Sequence, residues 1–171
     1  MLSKIINFYH LFFIYIGIDY KIKFLNIENK LIKVIIYDTA VQGRIRKLSE
    51  TYYKGAQGVI YMYDIADQIT FKTVNNWIKD AEENGYTNAP KVLIGNNCEK
   101  PDRKVTEEEG KKLADDFNMG FFETSPKTNQ NVNESMYYLV REILKVEEGN
   151  KIKKNINIKN EYNSGNKKKC A

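Results

Sequence analysis

Histidine occurs once and cysteine twice in this sequence of 171 residues, and proline only three times. His10 has no second imidazole to share a metal ion, and no other metal-ligand spacing or pairing of a nucleophile with a base stands out. Cys98 and Cys170 are too few for a disulfide framework, so a reducing compartment is expected. Ten glycines and three prolines without a period exclude collagen, and the composition also excludes a coiled coil and a multi-span membrane protein. The longest apolar run, Ile5 to Ile16, is twelve residues. A helix needs about 20 to cross a bilayer. Lys4 precedes the run, but no small-x-small cleavage site follows and Asn7 and His10 interrupt it, which favours a buried strand or helix over a signal peptide.

What is present suits one globular domain: 42% hydrophobic and 29% charged residues, with no internal repeat. The net charge of +5 is unevenly placed. Residues 149–171 hold seven lysines against one glutamate, +6, which leaves −1 for everything before them. A nearly neutral body argues against nucleic acid as a partner, and a basic tail points to an anionic surface.

Lys21 to Leu25 and Leu31 to Tyr37 are apolar and β-branched around Glu28-Asn29-Lys30, which predicts an antiparallel hairpin. Short apolar runs then follow at 58–63, 91–94 and 120–122, separated by segments of helical period. Phe71, Val74, Trp77, Ile78 and Ala81 share one helix face, as do Leu113, Ala114 and Phe117, and then Met136, Leu139, Val140, Ile143 and Leu144. Thr106 with Glu109 reads as a capping box, and Asn131 with Glu134 as a similar start. Alternating strands and helices predict an α/β fold, a mostly parallel sheet covered on both faces. In such sheets ligands bind beyond the carboxyl ends of the strands. Those ends carry Asp38-Thr39, Asp64, residues 95–99 and residues 123–127, four polar groups in register.

The order of these motifs resembles the Rab-type small GTPases. Ile16-Gly17-Ile18-Asp19-Tyr20, Tyr37-Asp38-Thr39-Ala40, Tyr52-Tyr53-Lys54-Gly55-Ala56, Gly95-Asn96 and Glu123-Thr124-Ser125 carry the resemblance over roughly residues 16–146, nearest the exocytic branch. It implies a P-loop NTPase-like G domain that holds GTP or GDP and Mg²⁺ at the strand ends, with switch loops that meet partners in the GTP state. By that resemblance Asp38 holds Mg²⁺ through water and Gln42 orients the attacking water. Asn96 and the acid at position 99 read guanine, and Ser125 and Lys127 close over the base. Ile16, Gly17, Asp19 and the aromatics Tyr20, Tyr37 and Tyr52 form the effector surface; the aromatics have strand-to-helix packing as their ordinary alternative.

The sequence departs from this pattern at several points. No G-x-x-x-x-G-K-[ST] occurs, so the phosphate loop and the usual first strand are both missing from the expected fold. Tyr15 stands where the family has a Mg²⁺-ligating threonine, Val41 where it has glycine, and Gly43 where it has glutamate. Asn97 replaces a lysine that packs over the base, and Glu99 replaces an aspartate, lengthening the arm to the carboxylate. Pro126 replaces an alanine and has no N–H to give. At about 1 to 2 kcal/mol each, the three base-site changes cost about 3 to 6 kcal/mol. That corresponds to about 10²- to 10⁴-fold in affinity.

Two explanations compete: a working GTP-hydrolysing switch whose true N-terminus is missing from this sequence, or a Rab-like chain that has lost nucleotide binding and acts as a partner-binding module in vesicle traffic. Truncation accounts for the absent loop but not for Val41, Asn97, Glu99 and Pro126, which lie inside well-matched segments and favour loss. A non-functional fragment is the third reading. The expected organisation is an atypical apolar segment over 1–16, a partial G domain over 17–147 and a disordered basic tail over 148–171. The domain is expected to be marginal or its N-terminus rearranged, because the missing strand lies mid-sheet. The resemblance further implies prenylation at Cys170, although the family's usual endings are two cysteines or a cysteine four from the end. Cys98 reads as a packing residue. Rab effectors or regulators are the expected partners of a monomer that is cytoplasmic and peripheral on endomembranes or the plasma membrane.

Overall fold

The computed structural model describes residues 2–7, 19–40, 56–83 and 89–167, with side chains over 21–37, 56–79, 81–83 and 89–150. The predicted hairpin consists of β2 (Asp19–Ile27) and β3 (Lys30–Ala40), in register from Asp19 opposite Asp38 to Ile27 opposite Lys30. Its turn residues Glu28 and Asn29 are both left-handed, φ 52° and 62°. That pairing matches the strands' right-handed twist. The three apolar runs form β4 (Gly58–Asp64), β5 (Lys91–Asn96) and β6 (Gly120–Thr124), parallel to one another.

Between the strands run α1 (Gln68–Glu83) and α2 (Glu107–Asp116), and α3 (Val132–Lys167) follows β6. Asp67 starts α1, its carboxylate accepting from the Ile69 N–H at 2.9 Å. Thr106 and Glu109 form the expected capping box, each accepting from the other's backbone N–H, at 3.1 and 2.8 Å. Asn131 plays a different part from the predicted cap. It is left-handed, φ 53°, and its amide donates to the Glu123 carbonyl at 2.8 Å, tying the start of α3 to β6.

Two apolar layers sandwich the sheet. Val59, Tyr61 and Tyr63 meet Val74 and Ile78 of α1 and Leu113 and Ala114 of α2 on one face. On the other, Leu25, Ile27, Val34, Ile60 and Val92 meet Leu139, Val140 and Ile143 of α3. Each of the valines, leucines and isoleucines among them contributes about 1.5 to 3 kcal/mol by leaving water.

The sheet order is β2-β3-β1-β4-β5-β6, and its third place is taken by β1 (Leu2–Asn7). The slot expected to lack its strand is therefore filled, by residues that begin before the apolar run. β1 is antiparallel to both neighbours, with Leu2 opposite Ala40 and Asn7 opposite Ile35 on one side and Lys4 opposite Ile60 on the other. Filling the gap removes two open edges, one on β3 and one on β4, which is the physical gain of this rearranged N-terminus.

The expectation of a disordered tail from residue 148 is corrected: α3 runs on through Lys167. No proline follows Pro126, so nothing in the added length blocks the helical hydrogen bonds outright, although it is rich in asparagine and lysine rather than in the best helix formers.

Candidate functional site

Strands β3, β4, β5 and β6 point the same way, so Ala40, Asp64, Asn96 and Thr124 end along one edge of the sheet. The four polar strand ends read from the sequence are thus brought together. The backbones of Asp38, Asp19 and Tyr20 lie at this edge, since Asp19 pairs with Asp38 and Tyr20 with Tyr37. Ile16, Gly17, Val41, Gln42, Gly43, Tyr52 and Cys170, with His10 and Tyr15, lie outside the described residues.

At the β5 and β6 ends the side chains form a connected corner. Asn96 accepts from the Thr124 hydroxyl at 3.0 Å, which joins the two strand ends. Ser125 is fully buried, and its hydroxyl oxygen accepts from the Thr128 N–H at 3.1 Å. The neighbouring Ser125 hydroxyl, first among the causes, holds the Glu99 carboxyl below its usual range, with Lys127 and Lys100 adding to the effect. The result is an exposed, ionised carboxylate able to accept N–H groups. Lys127 and Pro126 are exposed beside it.

Asn97 is turned inward. It is left-handed, φ 65°, its amide donates to Asp64 at 2.8 Å and its carbonyl oxygen accepts from Asn96 at 3.3 Å. Both polar ends of the side chain are therefore used within the protein. Asp64 also accepts from Lys100 at 2.7 Å and from the Ala66 N–H at 2.9 Å. Burial opposes its charge, but the bonds from Lys100, Ala66 and Asn97 outweigh burial and lower its carboxyl below the ordinary value. Lys100 was not legible as a site residue, because nothing in a lone lysine after a turn says which carboxylate it will meet.

Arg103 was missed for the same reason. Its guanidinium grips Glu123 with two bonds, 2.5 and 2.8 Å, and donates to the Val105 carbonyl at 3.0 Å. Cys98 is half-buried, and burial, then Glu123 and Glu99, push its thiol up. A raised thiol is a poor nucleophile, consistent with packing. Tyr37 is likewise half-buried and packs against the core with Ala56 and Phe71. A cleft of about 400 Å³ lined by Glu82, Pro90, Lys91 and Tyr138 opens where β5 begins, away from this corner.

Among the described residues, no group of three histidine, cysteine or acidic side chains is placed to hold a metal ion. The Ras family model matches residues 6–145. The chain is 40% identical to Ras-related protein Rab-13 of Bos taurus over 150 residues, 87% of this chain and 74% of that protein. It is 44% identical to GTP-binding protein ypt2 of Schizosaccharomyces pombe over 131 residues, covering 76% and 66%. Ras-related protein Rab-8B of Homo sapiens is 41% identical over 130 residues, covering 75% and 63%. The chain therefore spans about two thirds of the length of these relatives.

Proposed function

Since the chain belongs to the Ras family, and within it to the Rab-type small GTPases, we propose that it acts in vesicle traffic as a partner-binding module with GTP binding severely weakened. The observation that carries this is the direction of β1. Its carboxyl end, Asn7, points away from the edge where β3 to β6 end. A loop leaving that strand starts on the wrong side of the sheet to cradle phosphates above Asp64 and Asn96, and the sequence holds no phosphate-loop motif.

A guanine nucleotide therefore fits this chain at one end only. The corner of Asn96, Glu99 and Ser125 offers acceptors for the ring edge. Pro126 lacks an N–H for the ring oxygen, and Asn97 is engaged with Asp64 instead of lying over a base. For Mg²⁺, Asp38 is the candidate by resemblance.

The built corner is also what favours the second reading, a working GTP-hydrolysing switch with Gln42 positioning water. One relative, ypt2 of Schizosaccharomyces pombe, is named a GTP-binding protein. Calorimetric titration of the full chain with GDP and Mg²⁺ separates the two: no measurable heat supports the module, and submicromolar binding supports the switch.

As a module, the chain would meet Rab effectors or regulators through the β2–β3 hairpin, as a monomer. Its basic C-terminal end would meet an anionic membrane, with Cys170 as a lipidation candidate. No described helix is long and apolar enough to cross a membrane.

A further inference from the structure

The cleft of about 400 Å³ where β5 begins lies at the other end of that strand from Asn96 and the base-facing corner. All three helices wall it. Glu82 comes from the last turn of α1, Asp116 ends α2, and Tyr138, Glu142 and Val146 lie four residues apart along one stripe of α3. Phe117, just past α2, and Pro90 and Lys91 at the start of β5 add to the lining.

The charges at this end are unbalanced in one direction. A helix C-terminus carries partial negative charge, which a lysine, arginine or histidine in the last turn ordinarily offsets. Neither α1 nor α2 has a basic residue there. Both place acids instead, Glu82 and Glu83 in α1, Asp115 and Asp116 in α2. Lys91, its side chain 12% exposed, is committed to Glu82, and Lys145 reaches Glu142 at 2.6 Å from outside the cleft. Arg141 of α3 is exposed and is not part of the lining. Asp116 forms no ion pair among the described residues. Residues 84–88, which link α1 to β5, include no charged side chain to answer it. One carboxylate and two helix ends are thus left without a cation, beside the half-buried rings of Phe117 and Tyr138.

We infer that this cleft is a docking site for an arginine side chain of a partner protein. Its planar guanidinium can pair with the Asp116 carboxylate through two N–H groups and lay its flat face on an aromatic ring. The walls decide against other cations. A divalent metal ion needs several oxygen ligands together, and among the described residues no three ligating side chains are so placed. Pro90, Phe117, Tyr138 and Val146 give apolar walls, which suit a weakly hydrated, planar cation better than a compact ammonium ion. The contact goes beyond the hairpin surface of the proposed module and needs no nucleotide, so its failure would leave that reading untouched.

The test is an NMR titration of the full, nitrogen-labelled chain with a capped glycine-arginine-glycine peptide, beside its lysine and citrulline counterparts. Saturable shifts are expected at the amides of Phe117, Asn118 and Glu142 with the arginine peptide, weaker ones with lysine and none with citrulline, which keeps the shape without the charge. Asp116→Asn should weaken binding about tenfold. Asp115→Asn, exposed one residue away and outside the lining, should leave it unchanged. Both acids are exposed at a helix end, so neither change threatens the fold. Equal losses from the two variants, or equal binding of the lysine peptide, would reduce the effect to general charge and overturn the inference. Shifts centred on Asp64 and Glu99 at the far end of the sheet, or no saturable shift at all, would overturn it as well.

Discussion

Asp64 is where single residues matter most in the strand-end corner. Its carboxyl is held low despite burial by Lys100, the Ala66 N–H and Asn97. The stability this adds is fully present above the ordinary carboxyl value of 3.8 and is lost as pH falls through the lower folded value. Wild type should therefore be more stable than Asp64→Asn at pH 6, with the gap closing as acid protonates the carboxylate. Urea melts of both proteins between pH 6 and pH 2 check this, and a gap that stays constant would contradict it. Tyr63 makes the opposite case. Its hydroxyl is buried with no hydrogen-bond partner among the described residues, and burial, then Glu123, push its ionisation up. Tyr63→Phe removes an unsatisfied group while keeping the ring against Phe71, 4.9 Å between centroids. It should raise stability by about 1 kcal/mol, read as a higher urea midpoint. The strand-end acids and Asn96 were legible from sequence because polar groups after apolar runs mark strand ends. Lys100 and Arg103 were not, since their partners lie 36 and 20 residues away and only the fold brings them together.

Among the elements, the hairpin, the three parallel strands and the capping box of α2 were legible because each rests on local rules of period or spacing. The direction of β1 was not. A strand buries the same alternate residues whichever way it runs, so Leu2 to Asn7 carry no mark of parallel or antiparallel pairing. The extension of α3 escaped because a polar stretch rich in asparagine and lysine, with Gly149 and Gly165, reads as solvated tail, yet it holds no proline to break a helix. Helix α2 shows how packing overrides propensity. Gly110 lies mid-helix, where alanine is favoured by about 1 kcal/mol. A Cβ there would stand 2.3 Å from the Tyr63 hydroxyl and 2.7 Å from the Phe121 ring. Overpacking of that kind costs about 1 to 3 kcal/mol. Gly110→Ala should therefore lower the thermal midpoint, and an unchanged or higher midpoint would show that Tyr63 and Phe121 can give way.

For the whole molecule, the family is plain and the activity turns on one end of one site. The α/β sheet and its two apolar layers are consistent with a Ras-family domain, whereas β1, in the sheet's middle, runs antiparallel to both of its neighbours. Binding energy for a nucleotide comes largely from its phosphates, so the proposed module, with a base corner and no phosphate cradle, is expected to hold nucleotide poorly. The most direct test is the nucleotide content of the full chain, purified without added nucleotide, denatured by heat and separated by anion exchange. The account predicts folded protein with no guanine nucleotide above background, and a stoichiometric amount of GDP or GTP would contradict it.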